Sequence, residues 1–249
     1  MSPRSMMRSA RRYWPDRPVR KPADMPTRMP TRMPTRMPTG MPTGMTVIGL
    51  TGGMGAGKST TACMMRRMGI PVFDADAAVH RLQAAGGAAL PAIAARFPQA
   101  VRQDSATGHP GWVLDRPALR RIVSASPDAL SVLEAIMHPL LMRQARDFLH
   151  QARRRRKRDV VLDVPLLFEA GWDRLCDAVI VVTAPPPVQI ARIRARRAMS
   201  AEEVRALLRR QMPDQERRRR ADHVIRTGLN RHETRRQLLS VLRKMKAHD

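Results

Sequence analysis

Aromatic residues are scarce in this 249-residue chain, at 3% of the sequence, and cysteine occurs only twice. The few aromatic side chains do not alternate with the basic runs, which disfavours a surface that stacks single-stranded nucleic-acid bases. Cys63 and Cys176 lie far apart without ligand-like neighbours, so we expect two buried apolar residues rather than a metal or redox pair. No apolar run reaches membrane-spanning length, so we expect no membrane partner and a cytoplasmic protein.

Acidic residues are also few: 21 Asp and Glu stand against 46 Lys and Arg, which gives a formal net charge of +25. The excess is concentrated at residues 153–158, 192–197 and 217–220. Such a surface could attract nucleic acid or a polyanionic small substrate, or it could be a solvated arginine-rich face. With so few aromatic residues, we expect no specific nucleic-acid partner.

Residues 1–44 differ from the remainder, since they hold 9 of the 21 prolines. They include three MPTR units at 25–36 and two MPTG units at 37–44. A proline in every fourth position is incompatible with a helix or a central strand, so we predict a disordered or polyproline-like extension. We expect Met45 to begin the folded domain, residues 45–249, and the extension to be dispensable or not part of the native protein. An Arg-rich targeting peptide is the alternative, although no apolar segment follows it.

The most informative motif is Gly52-Gly-Met-Gly-Ala-Gly-Lys-Ser59, which fits the phosphate-loop pattern G-x-x-x-x-G-K-[ST]. An apolar strand (46–50) precedes it and a helical pattern follows it, as the motif requires. Lys58 would reach the β- and γ-phosphates of ATP, and the Ser59 hydroxyl would ligate Mg²⁺. A chance glycine-rich turn is the alternative.

Apolar runs alternate with helical patterns along the rest of the domain. Runs at 70–73, 159–164, 178–183 and 222–227 predict four further strands, and the longest helical pattern is 127–156, with a kink expected at His138-Pro139. Residues 98–114 are rich in Pro, Gly and polar side chains, so we predict a loop there. This alternation predicts an α/β domain with a mostly parallel five-stranded sheet, whose ligands bind at the carboxyl ends of the strands.

Three carboxylates follow predicted strands. Asp74 and Asp76 come just after the second strand, where one could accept a proton from an acceptor hydroxyl. An N-cap or turn role for the next helix is equally compatible with the pattern. Asp163 ends the strand before Pro165, a position from which an Asp often holds Mg²⁺ in phosphate-loop enzymes.

Arg192 and Arg196 are four residues apart on a predicted helix and therefore share one face. Arginine forks bind phosphate oxygens well, and a mobile arginine-bearing segment could neutralise developing charge and exclude water. An exposed charged helix face is the alternative. His138, taken alone, is more typical of a structural histidine than of a catalytic one.

In chain order, five segments resemble the dephospho-CoA kinase family: IGLTGGMGAGKST (48–60), DAD (74–76), LEAIMHPL (133–140), DVPLLFEAG (163–171) and ADHVI (221–225). The resemblance covers 45–249 and none of 1–44. It implies a three-layer phosphate-loop kinase fold with a helical substrate-binding insertion at about 77–156 and an arginine-bearing lid at about 192–220. It also implies transfer of phosphate from ATP, with Mg²⁺, to the 3′-hydroxyl of dephospho-CoA, giving coenzyme A.

The resemblance also implies roles for individual residues. Asp76 would be the catalytic base, with Asp74 beside it, and Lys58, Arg192 and Arg196 would complete the catalytic set. ATP phosphates would be held by residues of the loop: Gly53, Gly55, Ala56, Gly57, Lys58, Ser59 and Thr60. Residues around the dephospho-CoA site would be Asp74, Asp76, His138, Pro165, Leu166, Leu167 and Phe168. Ser59 and Asp163 are the metal ligands that the motif and the strand position suggest.

Two other functions remain compatible with the residues: another small-molecule phosphate-loop kinase, and a nucleic-acid-binding ATPase. The absence of an Asn-Lys-x-Asp motif argues against a GTPase. One departure from the family pattern concerns the final strand. The family often has Asn shortly after the Val-Ile pair, whereas Arg226-Thr227-Gly228 follows here.

Overall fold

A parallel sheet forms the centre of the protein in a computed structural model that describes residues 44–104, 111–197, 199–209 and 211–246. The sheet contains five strands in the order β2-β5-β1-β6-β7, and every neighbouring pair is parallel. Numbered along the chain, the strands are β1 (Thr46–Gly52), β2 (Val72–Asp74), β3 (Val101–Asp104), β4 (Gly111–Leu114), β5 (Asp159–Asp163), β6 (Ala178–Thr183) and β7 (His223–Arg226).

Helices cover both faces of this sheet. The described helices are α1 (Lys58–Arg67), α2 (Ala75–Leu82), α3 (Leu90–Arg96), α4 (Arg116–Ala125), α5 (Pro127–Arg154), α6 (Pro186–Arg194), α7 (Ala201–Arg209), α8 (Asp214–Arg219) and α9 (Arg231–Lys246). Short 3₁₀ turns occur at Pro98–Ala100 and Trp172–Leu175. Within the described part of the chain, no helix is both long enough and apolar enough to cross a membrane.

Successive strand residues point to opposite faces of the sheet, which divides the core into two clusters. Val47 of β1 packs in one cluster with Ala145 and Leu149 of α5. Its neighbour Ile48 packs in the other, where α1 and α9 contribute Met65 and Leu238. Strands buried on both faces read as near-continuous apolar runs, as the sequence does. The predicted three-layer α/β fold is therefore confirmed.

The segment predicted as an insertion, 77–156, holds most of α2 and all of α3 to α5, and its residues form an apolar cluster that includes the fully buried Ile93. The predicted loop at 98–114 is wrong in part, because β3 and β4 pair as an antiparallel hairpin. Trp112 and Leu114 pack against the insertion's cluster, and this tertiary contact outweighs the turn-forming composition of the segment. The insertion is consequently helical with one added hairpin.

Two smaller predictions also have an outcome, and a third concerns residues that the structure does not describe. The long helix α5 is continuous from Pro127 to Arg154 with Pro139 inside it. Cys176 is buried as expected, but Cys63 is exposed, so the expectation of two buried cysteines is wrong for Cys63. Residues 1–43 of the predicted extension lie outside the described residues.

Candidate active site

A cavity of about 530 Å³ lies where the phosphate loop meets the segments that follow β5 and β7. Parallel strands end at one edge of a sheet, so segments far apart in sequence converge there. The residues that line the cavity are Gly52, Gly53, Met54, Gly55, Gly57, Lys58, Ser59, Thr60, Asp76, Pro165, Leu166, Glu169, Arg192, Arg196, Arg197, Gln211, Arg217, Thr227, Leu229, Asn230, Arg231 and Thr234. Most of the sequence-predicted site residues are among them.

The phosphate loop turns sharply into α1, whose first residue is Lys58. Gly57 precedes it at φ 96°, in the left-handed region that side chains with a Cβ rarely adopt. No side chain caps this helix end, and its N-terminal residues line the cavity. Unpaired N–H groups at a helix N-terminus, together with the helix dipole, favour an anion. Of the loop residues predicted to bind ATP, the buried Ala56 is the one that does not line the cavity.

Lys58 forms a close ion pair with Asp163 at the end of β5. The two side chains are 14% and 5% exposed, so the pair is shielded from solvent. Burial raises the pKa of the Asp163 carboxyl above its ordinary value, while the positive charge of Lys58 acts in the opposite direction. The sequence predicted that Lys58 binds phosphate and that Asp163 binds a metal ion. In the structure the two side chains contact each other directly.

The two carboxylates of the DAD segment have different surroundings. Asp74 caps α2 by accepting a hydrogen bond from the Ala77 N–H at 2.9 Å, and it pairs with Arg66 at 3.1 Å. It is not among the lining residues, so the N-cap alternative describes Asp74 better than the predicted substrate contact does. Asp76 is exposed and lines the cavity, as a base for a bound acceptor must.

Of the four residues 165–168 after β5, two line the cavity and two are buried in the core. Pro165 and Leu166 line the cavity, and the Pro165 carbonyl accepts a 2.9 Å hydrogen bond from Thr51 Oγ1. Leu167 is fully buried and Phe168 is 6% exposed, both in the core cluster beside α5. Their predicted substrate contact stays a prediction, since both side chains pack in the core and neither lines the cavity.

His138 is exposed on α5 and is not among the residues that line the cavity. His138, which the resemblance places at the substrate site, therefore does not share this cavity with the phosphate loop. On α5, the neighbouring Met137 is the buried side chain and packs in the apolar cluster of the insertion, whereas His138 faces away from that cluster.

The predicted lid arginines also differ from one another. The Arg192 guanidinium donates to three protein oxygens: Gly55 O at 3.2 Å, Thr227 Oγ1 at 2.9 Å and Thr227 O at 2.6 Å. Arg196 and Arg197 are exposed and line the cavity. Of the two arginines predicted as catalytic, Arg196 thus has the more accessible guanidinium.

Sequence reasoning missed several polar residues of the site. Arg217, which had been grouped with the arginine run 217–220, is only 7% exposed and donates to Met212 O. Burial lowers the pKa of its guanidinium, and the nearby Asp214 carboxylate opposes that effect. Gln211 accepts a 3.1 Å hydrogen bond from the Met54 N–H of the phosphate loop. An arginine run has no signal that marks one member as buried, because that depends on how α8 packs.

The donors available to a metal ion are limited. Among the described residues there is no group of three or more His, Cys, Asp or Glu side chains that could hold one. Ser59 lines the cavity, whereas Asp163 is paired with Lys58 and is not among the lining residues. Mg²⁺ commonly takes one or two protein ligands and completes its shell with phosphate oxygens and water, so this small oxygen set fits Mg²⁺ bound together with a nucleotide.

Comparison with known proteins shows which family this chain resembles. Residues 46–232 match the family model for dephospho-CoA kinase. The chain is 50% identical over 204 residues to the dephospho-CoA kinase of Gluconobacter oxydans, covering 80% of this chain and 98% of that protein. It is 47% identical over 181 residues to the dephospho-CoA kinase of Cereibacter sphaeroides, covering 72% and 86%.

Solved structures share the architecture. The crystal structure of TT1252 from Thermus thermophilus superimposes with a TM-score of 0.69 at 35% identity, covering 81% of this chain and 97% of that one. Dephospho-CoA kinase from Campylobacter jejuni superimposes with a TM-score of 0.60 at 23% identity, covering 82% and 98%. The second likeness supports the fold alone.

Proposed function

The chain belongs to the dephospho-CoA kinase family, and we propose that the cavity residues described above carry out its reaction. The enzyme phosphorylates the 3′-hydroxyl of dephospho-CoA with ATP and releases coenzyme A and ADP, the last step of coenzyme A biosynthesis. The observation that supports the residue assignment is that a phosphate loop and a carboxylate, Asp76, line one cavity. A phosphoryl donor and an acceptor hydroxyl could therefore meet there.

We assign the donor side to the phosphate loop. The loop N–H groups and the N-terminus of α1 favour the anionic phosphates of ATP. The Lys58 ammonium, held beside the loop by Asp163, would donate to the β- and γ-phosphates and stabilise the charge that develops during transfer. The exposed Arg196, which also lines the cavity, would add positive charge there.

We assign the acceptor side to Asp76 and the segment after β5. The 3′-hydroxyl oxygen would form a bond to the γ-phosphorus while the bond from that phosphorus to the β,γ-bridging oxygen breaks and ADP leaves. The Asp76 carboxylate would accept the hydroxyl proton. Leu166, whose side chain is 56% exposed, and Pro165 would provide an apolar wall for the acceptor and exclude water from it.

We further propose that Mg²⁺ accompanies the nucleotide, with Ser59 and Asp163 as the protein groups that would hold it. Bound there, Mg²⁺ would neutralise charge on the phosphates. The support is chemical: a cavity-lining hydroxyl and a strand-end carboxylate match the ligand preference of this ion, and phosphate oxygens would supply further ligands.

A direct assay tests these assignments. Purified protein with ATP and Mg²⁺ should produce ADP only when dephospho-CoA is added, and excess EDTA should reduce the rate to background. DNA or RNA should not stimulate turnover, because the described cavity offers phosphate and hydroxyl chemistry without aromatic stacking residues. Phosphorylation of a different small acceptor, with dephospho-CoA left unchanged, would contradict the acceptor assignment. Full activity in EDTA would contradict the Mg²⁺ proposal alone.

We propose that residues 45–249 suffice for this activity and that the enzyme works in the cytoplasm, where ATP is available. Met45 is 6% exposed and belongs to the core, and the Thr46 N–H donates to Arg158 O at 2.7 Å. The family match begins at residue 46. Deleting residues 1–44 should therefore leave kcat within about twofold and should shift the melting temperature by less than about 2 °C, which corresponds to at most about 1 kcal/mol for a domain of this size.

Differential scanning fluorimetry and the coupled assay, run side by side on both proteins, measure this outcome. Fluorescent fusions of the full chain and of 45–249 should have the same distribution in cells. A truncated protein that melts several degrees lower would show that residues 1–44 contribute to the folded enzyme. A change in distribution would instead favour the targeting alternative.

A further inference from the structure

A hydrogen-bond network joins the phosphate loop to α6 and to the end of β7. Its members are Arg192, Thr227 and the carbonyl groups of Gly55 and Ala56, which we call the Thr227 clamp. Thr227 is 4% exposed, and its N–H donates to Thr183 O at 2.9 Å, which continues the pairing of β7 with β6. The clamp is thus attached to the rigid sheet.

The Thr227 hydroxyl is used twice in this network. It donates to Ala56 O in a short hydrogen bond and accepts from the Arg192 guanidinium at 2.9 Å. Arg192 also donates to Thr227 O at 2.6 Å and to Gly55 O at 3.2 Å. Two consecutive carbonyl groups of the loop are therefore held by side chains from outside the loop, more than 130 residues away.

The positions of these carbonyl groups determine where the loop N–H groups point. A peptide unit is planar and trans, so its C=O and N–H point in opposite directions. Fixing Ala56 O against Thr227 consequently directs the Gly57 N–H away from Thr227. Gly57 lines the cavity and is the residue before α1, where a phosphate oxygen would be bound.

Close packing makes the arrangement specific for the residues present. A Cβ at Gly57 would lie 2.8 Å from Thr227 Oγ1, so the hydroxyl occupies the space that the missing side chain leaves. A valine would preserve the shape of Thr227 but could neither donate to Ala56 O nor accept from Arg192. The network therefore depends on the hydroxyl and not only on a side chain of this size.

We propose that Thr227 and Arg192 are positioning residues that hold the phosphate loop in its nucleotide-binding shape, and that Arg192 acts through the loop rather than on the γ-phosphate. The proposal rests on the function proposed above, since it concerns the nucleotide site of that reaction. Thr227 lies where this chain departs from the family pattern, and its proposed role is to hold the backbone of the phosphate loop in place. The proposal also separates Arg192 from Arg196, whose side chain is exposed at the cavity.

The test compares Thr227→Val with Thr227→Ser. Thr227→Val should raise the KM for ATP, and the Kd for ATP measured without acceptor, by about tenfold, the usual consequence when buried groups lose a hydrogen-bond partner. The KM for dephospho-CoA should change less than about twofold, because Asp76 and the acceptor wall are not part of the clamp. Thr227→Ser, which retains the hydroxyl, should restore the KM for ATP to within about threefold of wild type. A merely structural role would affect both substrates and would not separate Ser from Val in this way.

A double-mutant cycle tests the link between the two side chains. Arg192→Lys keeps the charge but lacks the planar fork needed for the three bonds. If both residues act through one network, Thr227→Val combined with Arg192→Lys should raise the KM for ATP little more than the stronger single substitution. The contrary result would be that the effects of the two substitutions add and that Arg192→Lys lowers only kcat. Arg192 would then act on the transferred phosphoryl group, and its part of the proposal would be overturned.

The remaining outcomes also separate the clamp from the proposed function. An unchanged KM and Kd for ATP in Thr227→Val would overturn the clamp while leaving the kinase activity in place. A wild-type protein that binds ATP but phosphorylates a different acceptor would overturn the proposed function and leave the ATP measurements valid. Wild-type protein that binds no nucleoside triphosphate would overturn both.

Discussion

Replacing Lys58 with alanine is expected to lower kcat by a factor of about 10²–10³ or more, the loss seen when one preorganised donor to a transition state is removed. The ammonium lies at the first residue of α1 and lines the cavity, so its charge is close to where the phosphates of ATP would lie. Single-turnover kinetics at saturating ATP measure the effect on the chemical step. Lys58→Ala with near-wild-type kcat would contradict the phosphate-loop assignment.

The same substitution is also expected to destabilise the fold, because Lys58 pairs with the buried Asp163. Removing one partner leaves an uncompensated carboxylate, which typically costs about 3–5 kcal/mol. Burial already raises the pKa of Asp163, so the carboxyl takes up a proton more readily in the folded state than in the unfolded chain. The stability deficit of Lys58→Ala relative to wild type should therefore shrink as the pH falls towards the raised pKa of Asp163.

A matched variant separates stability from catalysis. Lys58→Ala combined with Asp163→Asn removes both charges and should recover much of the lost free energy of unfolding, measured by urea titration at pH 7. It should remain inactive, because the donor to phosphate is still absent and Asp163, a proposed Mg²⁺ ligand, has also been replaced. Recovery of activity in the double variant would show that the single variant failed only by unfolding.

Replacing Asp76 with asparagine is expected to lower kcat by about 10²–10⁴, the usual contribution of a positioned general acid or base. Asparagine has nearly the same shape but cannot accept the hydroxyl proton as a carboxylate does. The Kd for ATP should change little, because the proposed role of Asp76 concerns the acceptor. Isothermal titration with ATP and steady-state assays with dephospho-CoA measure the two effects separately.

Asp74→Asn is the matched control, two residues away in the same segment. Asparagine caps helices as well as aspartate does, so the bond to the Ala77 N–H can persist. The ion pair with Arg66 is lost, but both side chains are more than a third exposed, and such pairs contribute little. Activity should stay within about threefold of wild type. An inactive Asp74→Asn beside an active Asp76→Asn would reverse the assignment of the catalytic base.

Local patterns in the sequence determined the phosphate loop and the alternation of strands and helices. Residues 52–59 are contiguous, and their glycines and Lys58 specify a strand-loop-helix unit without reference to distant contacts. The runs of β1, β5 and β6 are equally local, since most of their residues are buried on both faces and apolar. The hairpin at residues 101–114 was missed because its stability comes from packing against the insertion's core, which composition does not reveal.

The tertiary structure decided which residues meet at the cavity. Parallel pairing of β1 with β5 sets Lys58 beside Asp163, and pairing of β6 with β7 carries Thr227 to the loop. These partners are separated by 105 and 171 residues, and no local pattern encodes contacts of that range. The same reason explains why the residue pattern by itself did not separate Asp74 from Asp76: their different surroundings come from the turn of α2 and from the cavity beside it. The sequence thus specified the chemical groups of the site, and the order of the strands determined which of them act together.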